Sequence, residues 1–287
     1  WHQNNDTTNI LLDDLRIKNA DLDMRSSLQV SLPTNGASPL IDFVSNWNIS
    51  DVSSISHYLP SKLMEPKLYA WFDNALIAGR VPRGTTQFTG PLDKFPFEAG
   101  EGSFRIEAQI EDATLKYHPN WPAVEQVNAD ISIDNMRFYS THNTATTLGN
   151  NTVDARIEIA DMREPVLTID AYATGTLETI RQLSMQSPIA NVLGNQLGRI
   201  QVDGNASFDF QLRYPIWDKL NYTFTTNIRS NNGLLSIEGF TPLLSELTGL
   251  ITVTRDSIQS ESLTGNFLGG PVNIDLTRVT EDMPKYS

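Results

Sequence analysis

From Ile200 to Arg213 the chain places an apolar or small residue at every second position. Ile200, Val202, Gly204, Ala206, Phe208, Phe210 and Leu212 form one set, and Gln201, Asp203, Asn205, Ser207, Asp209, Gln211 and Arg213 fill the gaps. Successive side chains of a strand point to opposite faces. The segment therefore reads as a long strand with one apolar face and one wet face. Repeated along a chain, this pattern builds a sheet with a broad apolar surface, and whatever covers that surface decides the function.

The pattern recurs. Phe104, Ile106, Ala108 and Ile110 alternate with Arg105, Glu107, Gln109 and Glu111. Val127, Ala129, Ile131 and Ile133 do the same, as do Val153, Ala155, Ile157 and Ile159. Leu167, Ile169, Ala171 and Ala173 follow, then Tyr222, Phe224, Thr226 and Ile228, and finally Val272, Ile274 and Leu276. One-sided strands belong to antiparallel sheets, because strands of parallel α/β sheets are apolar on both faces. The fold class is mostly β: a twisted antiparallel sheet, curled so that Phe104, Ile131, Ile157, Ile169, Phe208 and Phe224 face inward while Asp130, Glu158 and Asp209 face water. Periodicity alone leaves open whether two such faces close on each other as a sandwich core or stay accessible.

Composition narrows the partners. A chain of 287 residues can bury a real core, yet its hydrophobic content of 39% is low for that length. Much of the sheet must be wet on one side. The formal charge is −13, from 34 acidic and 21 basic residues. That excludes nucleic acid, whose phosphates demand basic patches, and docking by charge on an anionic membrane. There is no cysteine, hence no disulfide or thiolate chemistry. No run of about twenty apolar residues is present to span a bilayer. The chain opens Trp1-His2-Gln3-Asn4, without an initiator methionine or a signal peptide, and is expected to be an internal segment of a longer protein.

Two helical insertions, about 52–78 and 176–198, are expected to interrupt an otherwise continuous body of residues 1–287. In the first, Pro66 opens a helix from Glu65 to Ala78 whose stripe is Leu68, Trp71, Phe72, Ala75 and Leu76. A shorter helical turn, Val52 to Tyr58, precedes it. In the second, Ser187 caps a helix from Pro188 to Leu197 with the stripe Ile189, Val192, Leu193 and Leu197. Both stripes are expected to pack on the apolar face or its edge. An internal repeat is also visible. Val124–Ile133 matches Leu244–Val253, and each copy is followed by a glycine shortly before another strand, at Gly149 and at Gly269-Gly270.

A longer match is carried by residues 58–122. It comprises Tyr58-Leu59-Pro60, the run from Trp71 to Val81, Gly90-Pro91-Leu92-Asp93-Lys94-Phe95-Pro96-Phe97, the run from Gly102 to Tyr117, and Pro119-Asn120-Trp121-Pro122. This stretch closely resembles the YhdP group of the AsmA-like superfamily, relatives of TamB. Leu247–Val253 and Leu268–Ile274 are similar to pieces of the same superfamily. The resemblance implies a large protein of Gram-negative bacteria, anchored in the inner membrane by a helix outside this chain. It implies a periplasmic body shaped as a long apolar-lined β-groove (a β-taco), which moves phospholipid between the inner and outer membranes.

Under that resemblance the lipid-facing candidates are Phe104, Ile106, Ile110, Ile131, Ile133, Ile157, Ile169, Val202, Phe208, Phe210, Leu212, Phe224 and Ile274. Acyl chains need only a dry, non-directional surface, at about 0.8 kcal/mol per buried methylene. An open face would also leave Phe208 accessible, so that a charge there spares the fold. Arg80 and Arg83, in the glycine-flanked run Gly79–Gly84, are candidates for contact with a headgroup, although a turn leading into a strand explains the run equally. No enzyme is expected. The histidines His2, His57, His118 and His142 are scattered, and no zinc-peptidase or serine-elbow motif occurs. Asp13-Asp14 and Asp21/Asp23 come nearest to a metal cluster, and Glu98/Glu101 and Glu111/Asp112 nearest to a glycosidase pair. Asp21 and Asp23 read as solvated strand residues, chance pairs are expected among 34 acidic residues, and neither metal nor cofactor is expected. The alternatives to lipid conduction are a β-scaffold or tether without cargo, and a carbohydrate-active β protein. The latter would want aromatic residues on the wet face, whereas Trp47, Trp71, Trp121 and Trp217 fall mostly in loops or helix stripes.

Overall fold

The computed structural model describes residues 2–3, 6–59, 62, 64–187, 189–190, 194–218 and 220–279. The chain is mostly β. Its strands are β1 (His2–Gln3), β2 (Thr7–Lys18), β3 (Leu22–Pro33), β4 (Leu40–Ile49), β5 (Leu76–Pro91), β6 (Ser103–Leu115), β7 (Val124–Asp134), β8 (Arg137–Thr147), β9 (Asn150–Ile159) and β10 (Val166–Thr176), continuing with β11 (Ile200–Asp203), β12 (Asn205–Pro215), β13 (Thr223–Ile237), β14 (Phe240–Thr254), β15 (Ser257–Phe267), β16 (Gly270–Ile274) and β17 (Thr277–Val279). They belong to one hydrogen-bonded sheet, and every pair with a described register is antiparallel. The helices are α1 (Pro66–Ala75) and α2 (Leu177–Met185), with short 3-10 segments at Val52–Tyr58, Leu92–Lys94 and Gly194–Arg199.

Close contacts gather the chain into two compact units. One comprises Trp1–Leu115, Gln126–His142 and Glu158–Val166; the other comprises Lys116–Glu125, Asn143–Ile157 and Leu167–Ser287. In the first unit β2 to β6 pair in sequence order. Leu28 faces Phe43, Phe43 faces Phe88 and Phe88 faces Phe104, so one apolar row crosses four strands. Along β4, Ile41, Phe43, Ser45, Trp47 and Ile49 are buried or half-buried, and the residues between them are exposed. In the second unit β11 and β12 both pair with β13, which continues to β14, β15 and then β16 and β17. Along β4, β6 and β12 the alternation read from sequence is the alternation of burial, whereas in β9 it breaks: Val153, expected on the apolar face, is 53% exposed. Cross-strand ion pairs dress the wet face, among them Arg229–Asp209 and Arg137–Glu158.

Strict alternation fails at one place in several of the long strands, and there the backbone slips by a residue. Asp112, Gln126 and His142 take left-handed conformations (φ 50°, 53° and 53°) and are exposed, while the next residues, Ala113, Val127 and Asn143, are buried. Asn232, Glu246 and Ser262, each 120 positions later, do the same (φ 59°, 56° and 51°) and precede buried Gly233, Leu247 and Leu263. The turns Leu148-Gly149 and Leu268-Gly269 repeat at that spacing too. These are β-bulges: each bends its strand and restores the apolar set to the same face. The bulges of β13, β14 and β15 coincide with the register shifts at Ser230/Gly233, Ser245/Thr248 and Thr248/Leu250. They therefore lie side by side as a crease across three strands.

The helical insertions differ from the expectation in three ways. Helix α1 ends at Ala75, and residues 76–78 already belong to β5. Its stripe is not wholly covered: Ala75 is 1% exposed, but Leu68 and Trp71 are 46% and 40% exposed. In the second insertion a further helix, not expected from the sequence, runs over Leu177–Met185, while the expected helix Pro188–Leu197 falls partly outside the described residues, with Ala190 helical and Gly194–Arg199 a 3-10 segment. Thr176 and Thr179 form a reciprocal capping box at the start of Leu177–Met185, a signal stronger than Ser187-Pro188. Of the expected stripe, Val192 and Leu193 lie outside the described residues, as does Pro188.

Candidate functional site: the apolar sheet face

In the first unit the apolar face is covered at one end and open beyond it. The 3-10 segment Val52–Tyr58 begins with Asp51, whose side chain accepts a hydrogen bond from the Ser53 amide. Its Val52 (2% exposed) packs with Leu22, Ile49 and Val81, and Trp47, Ala108 and Ile110 close the cluster. Helix α1 is tied to this segment by Ser56, whose hydroxyl donates to Asp73 at 2.8 Å. Small residues make room in the floor: Ser26 donates to Ser45 at 2.8 Å, both buried, and the Trp47 ring lies over Gly84, where a side chain would collide with it at 2.5 Å. Farther along the strands Phe43, Phe104 and Ile106 are only half-buried.

The loop from β5 to β6 brings two further rings to this face. Phe95 and Phe97 meet Phe88 at 5.9 and 5.2 Å between centroids, and Phe95 meets Phe104 at 5.6 Å. Phe97 is 3% exposed and Phe95 40%. A carboxylate beyond them, Glu98, is paired with Arg163, which also holds Asp161 at 2.6 Å. Those contacts depress the Asp161 carboxyl to a pKa of about 2, through hydrogen bonds from the Arg163 side chain and backbone.

In the second unit α2 sits on the face. Leu177 and Ile180 pack with Ala173, Ala206 and Phe208, and Val202, Phe210 and Ile228 border the cluster. Beside it Ile189, Phe224 and Val253 form another cluster with Trp121 and Leu212. Phe208 is 8% exposed. This overturns the expectation that Phe208 looks onto open space: α2 covers it, and a charge there has no water to reach. Phe224 is equally buried. The other candidates are half-buried: Phe104, Ile106, Ile110, Ile131, Ile133, Ile157, Ile169, Val202, Phe210, Leu212 and Ile274.

The polar candidates resolve differently. Arg80 is held by Glu111 at 2.6 Å across β5 and β6, so its charge is already matched. Arg83 sits at the register shift of β5, exposed, with no ion pair among the described residues. Asp14 is a bulge residue paired with Arg25 at 2.7 Å, and Glu111-Asp112 is the bulge of β6. Among the described residues no group of three or more His, Cys, Asp or Glu could hold a metal ion, and no helix is long and apolar enough to cross a membrane.

The sequence reading missed Phe88, Phe95 and Phe97. The signal available was density: four phenylalanines within residues 88–104, flanking Gly90, Gly100 and Gly102. It also missed the bulges, which show as two consecutive polar residues inside an alternating run: Glu111-Asp112, Glu125-Gln126, Thr141-His142, Asn231-Asn232, Ser245-Glu246 and Glu261-Ser262.

Comparison with known proteins places this geometry. The intermembrane phospholipid transporter YhdP of Escherichia coli (strain K12) is 23% identical over 277 residues, which cover 96% of this chain and 22% of that protein. The chain thus spans less than a quarter of the length of the curated relative it matches. No solved structure is similar to it. The family model described as YhdP protein matches residues 1–285, and the chain belongs to the YhdP family.

Proposed function

We propose that the apolar sheet faces of this chain bind phospholipid by its acyl chains and conduct it across the periplasm, between the inner and outer membranes of a Gram-negative cell. The observation that carries the reading is a mismatch between composition and cover. Eleven of the thirteen lipid-facing candidates are only half-buried, although moving such a side chain from water to full burial is worth about 1.5–3 kcal/mol, part of which is left unrealised at each. Apolar surface left in that state marks a site for an apolar partner. The E. coli relative, by its name a phospholipid transporter between membranes, supplies the chemistry of that partner. Acyl chains fit because the face offers hydrocarbon and few polar groups, and its serines satisfy each other. Neither arginine faces the apolar floor: Arg80 is matched by Glu111, and Arg83 alternates onto the wet face with Gln87, so a headgroup could reach Arg83 only from the rim of the sheet. The role is carriage, not chemistry, and no residue here is assigned to catalysis.

The test is native mass spectrometry of the purified protein, followed by lipid extraction. Phospholipid adducts released as intact two-chain lipids are expected. A protein that stays free of lipid after mild purification and after exposure to phospholipid vesicles would instead be a scaffold or tether.

A further inference from the structure

The loop joining β5 to β6 does more than reverse the chain. It runs from Leu92 to Gly102 and turns two phenylalanines back onto the face from which it departs. Phe97 is the fixed member. It is 3% exposed, and its ring fills a slot that exists only because Gly90 and Gly102 lack side chains: a Cβ at either would come within 2.8 or 2.6 Å of the ring. Phe95 is the presented member. It stands edge-on to Phe97 and Phe104, at 5.7 and 5.6 Å, yet remains 40% exposed. A ring supported on one side by three others and open on the other is a wall that lacks its opposite side. The loop is tied down beyond the rings, where Glu98 meets Arg163 and Asp161 holds the same guanidinium. All the contacts that build the wall are aromatic, so it suits hydrocarbon and not a headgroup.

We propose that Phe95, backed by Phe88 and Phe104 and fixed by Phe97, forms a discrete acyl-chain station on the first unit. A lipid chain dwells there against a rigid aromatic wall instead of sliding over a uniform floor. The proposal rests on the lipid reading above and adds to it a place and a residue. Phe95 is the contact, and Phe97 and Arg163 are positioning residues that hold the loop.

The test is photocross-linking in the whole protein, loaded with phosphatidylethanolamine and phosphatidylglycerol vesicles. Photoreactive benzoylphenylalanine is placed at Phe95, at Ile106 on the half-buried floor, or at Gln87 on the wet face. Lipid adducts at Phe95 and Ile106 but not Gln87 are expected. In parallel Phe95→Ala, at a position 40% exposed, should stay folded with at most a modest fall in melting temperature and lose retained phospholipid by about fivefold, the loss expected of one good apolar contact. Adducts at Ile106 without adducts at Phe95, together with undiminished lipid in Phe95→Ala, would overturn the station and leave the lipid reading intact. No adducts at either position would overturn the lipid reading and the station with it. Equal labelling at Gln87 would show that the face is not preferred and would overturn both.

Discussion

The hairpins β5–β6 and β12–β13 are two renderings of one frame. Phe88 faces Phe104 in the first and Leu212 faces Phe224 in the second, and the bulges Asp112 and Asn232 follow on the return strands. Gly79 and Gly204 stand at matching points, each with positive φ and each so close to the bulge of the next strand that a side chain would strike Ala113 or Gly233. What differs is the connection: fifteen residues lie between Phe88 and Phe104, eleven between Leu212 and Phe224. The longer loop folds its rings back over the apolar face. The shorter one cannot. Arg255 stacks on Tyr222 at 4.7 Å and donates to the carbonyls of Leu220 and Tyr222, and the loop holds Trp217 and Leu220 outward at 60% and 78% exposure. The second unit covers its face with α2 and Ile189 instead. The bulged strands fix where the apolar face lies, and the insertions and loops between them decide how much of it stays open.

Substitutions should separate the covered face from the open one. The largest effect is expected at the covered face. Phe208→Asp buries a carboxylate under α2 and should destabilise the second unit by more than about 4 kcal/mol, enough to unfold it in a chemical denaturation series. A stable variant would mean that α2 lifts away readily. Next is the seated ring of the long loop. Phe97→Ala empties the slot between Gly90 and Gly102 and should cost about 3–5 kcal/mol by the same measurement. Its counterpart in the short loop should be nearly silent: Trp217→Ala, at 60% exposure, is expected to change stability by no more than about 0.5 kcal/mol. Equal costs at the two positions would remove the distinction between the loops.

The smallest effect is electrostatic. Asp161 is held by Arg163 with its pKa lowered from 3.8 to about 2. A lowered pKa in the folded state favours folding above the unfolded value, and that contribution disappears as pH falls from about 4 through about 2. The pair is exposed, so the stability change should be slight, but the carboxyl resonance of Asp161 should titrate near the lower value. In Arg163→Ala it should return to the ordinary carboxylate range.

Much of this was legible in the sequence. The strands, their antiparallel class and the apolar set read directly from the alternation, because a strand's two faces impose a period of two. The family was legible from the run between Tyr58 and Pro122. The bulges were not read, for a physical reason. A left-handed residue facing water is polar, and so is its outward neighbour, so each slip of the backbone looks like a chemical pair. Glu111-Asp112 resembled a catalytic pair of carboxylates and Asp13-Asp14 resembled part of a metal site, whereas both are places where a strand bends. Cover was also hard to read. Phe208 and Ile106 sit in similar alternating runs, and only the packing of α2 separates the buried ring from the half-buried side chain.

If the half-open face holds lipid, Ile106→Asp should empty it. Ile106 is half-buried on the floor of β6, where a carboxylate can stay hydrated while interrupting the dry surface an acyl chain needs. The measurement is phospholipid retained per protein, by native mass spectrometry, in the parent and the variant at matched melting temperature. A folded Ile106→Asp protein that has lost most of its lipid is expected. A folded variant with undiminished lipid would show that the cargo lies elsewhere, and a variant that unfolds as Phe208→Asp does would show that the face is a closed core.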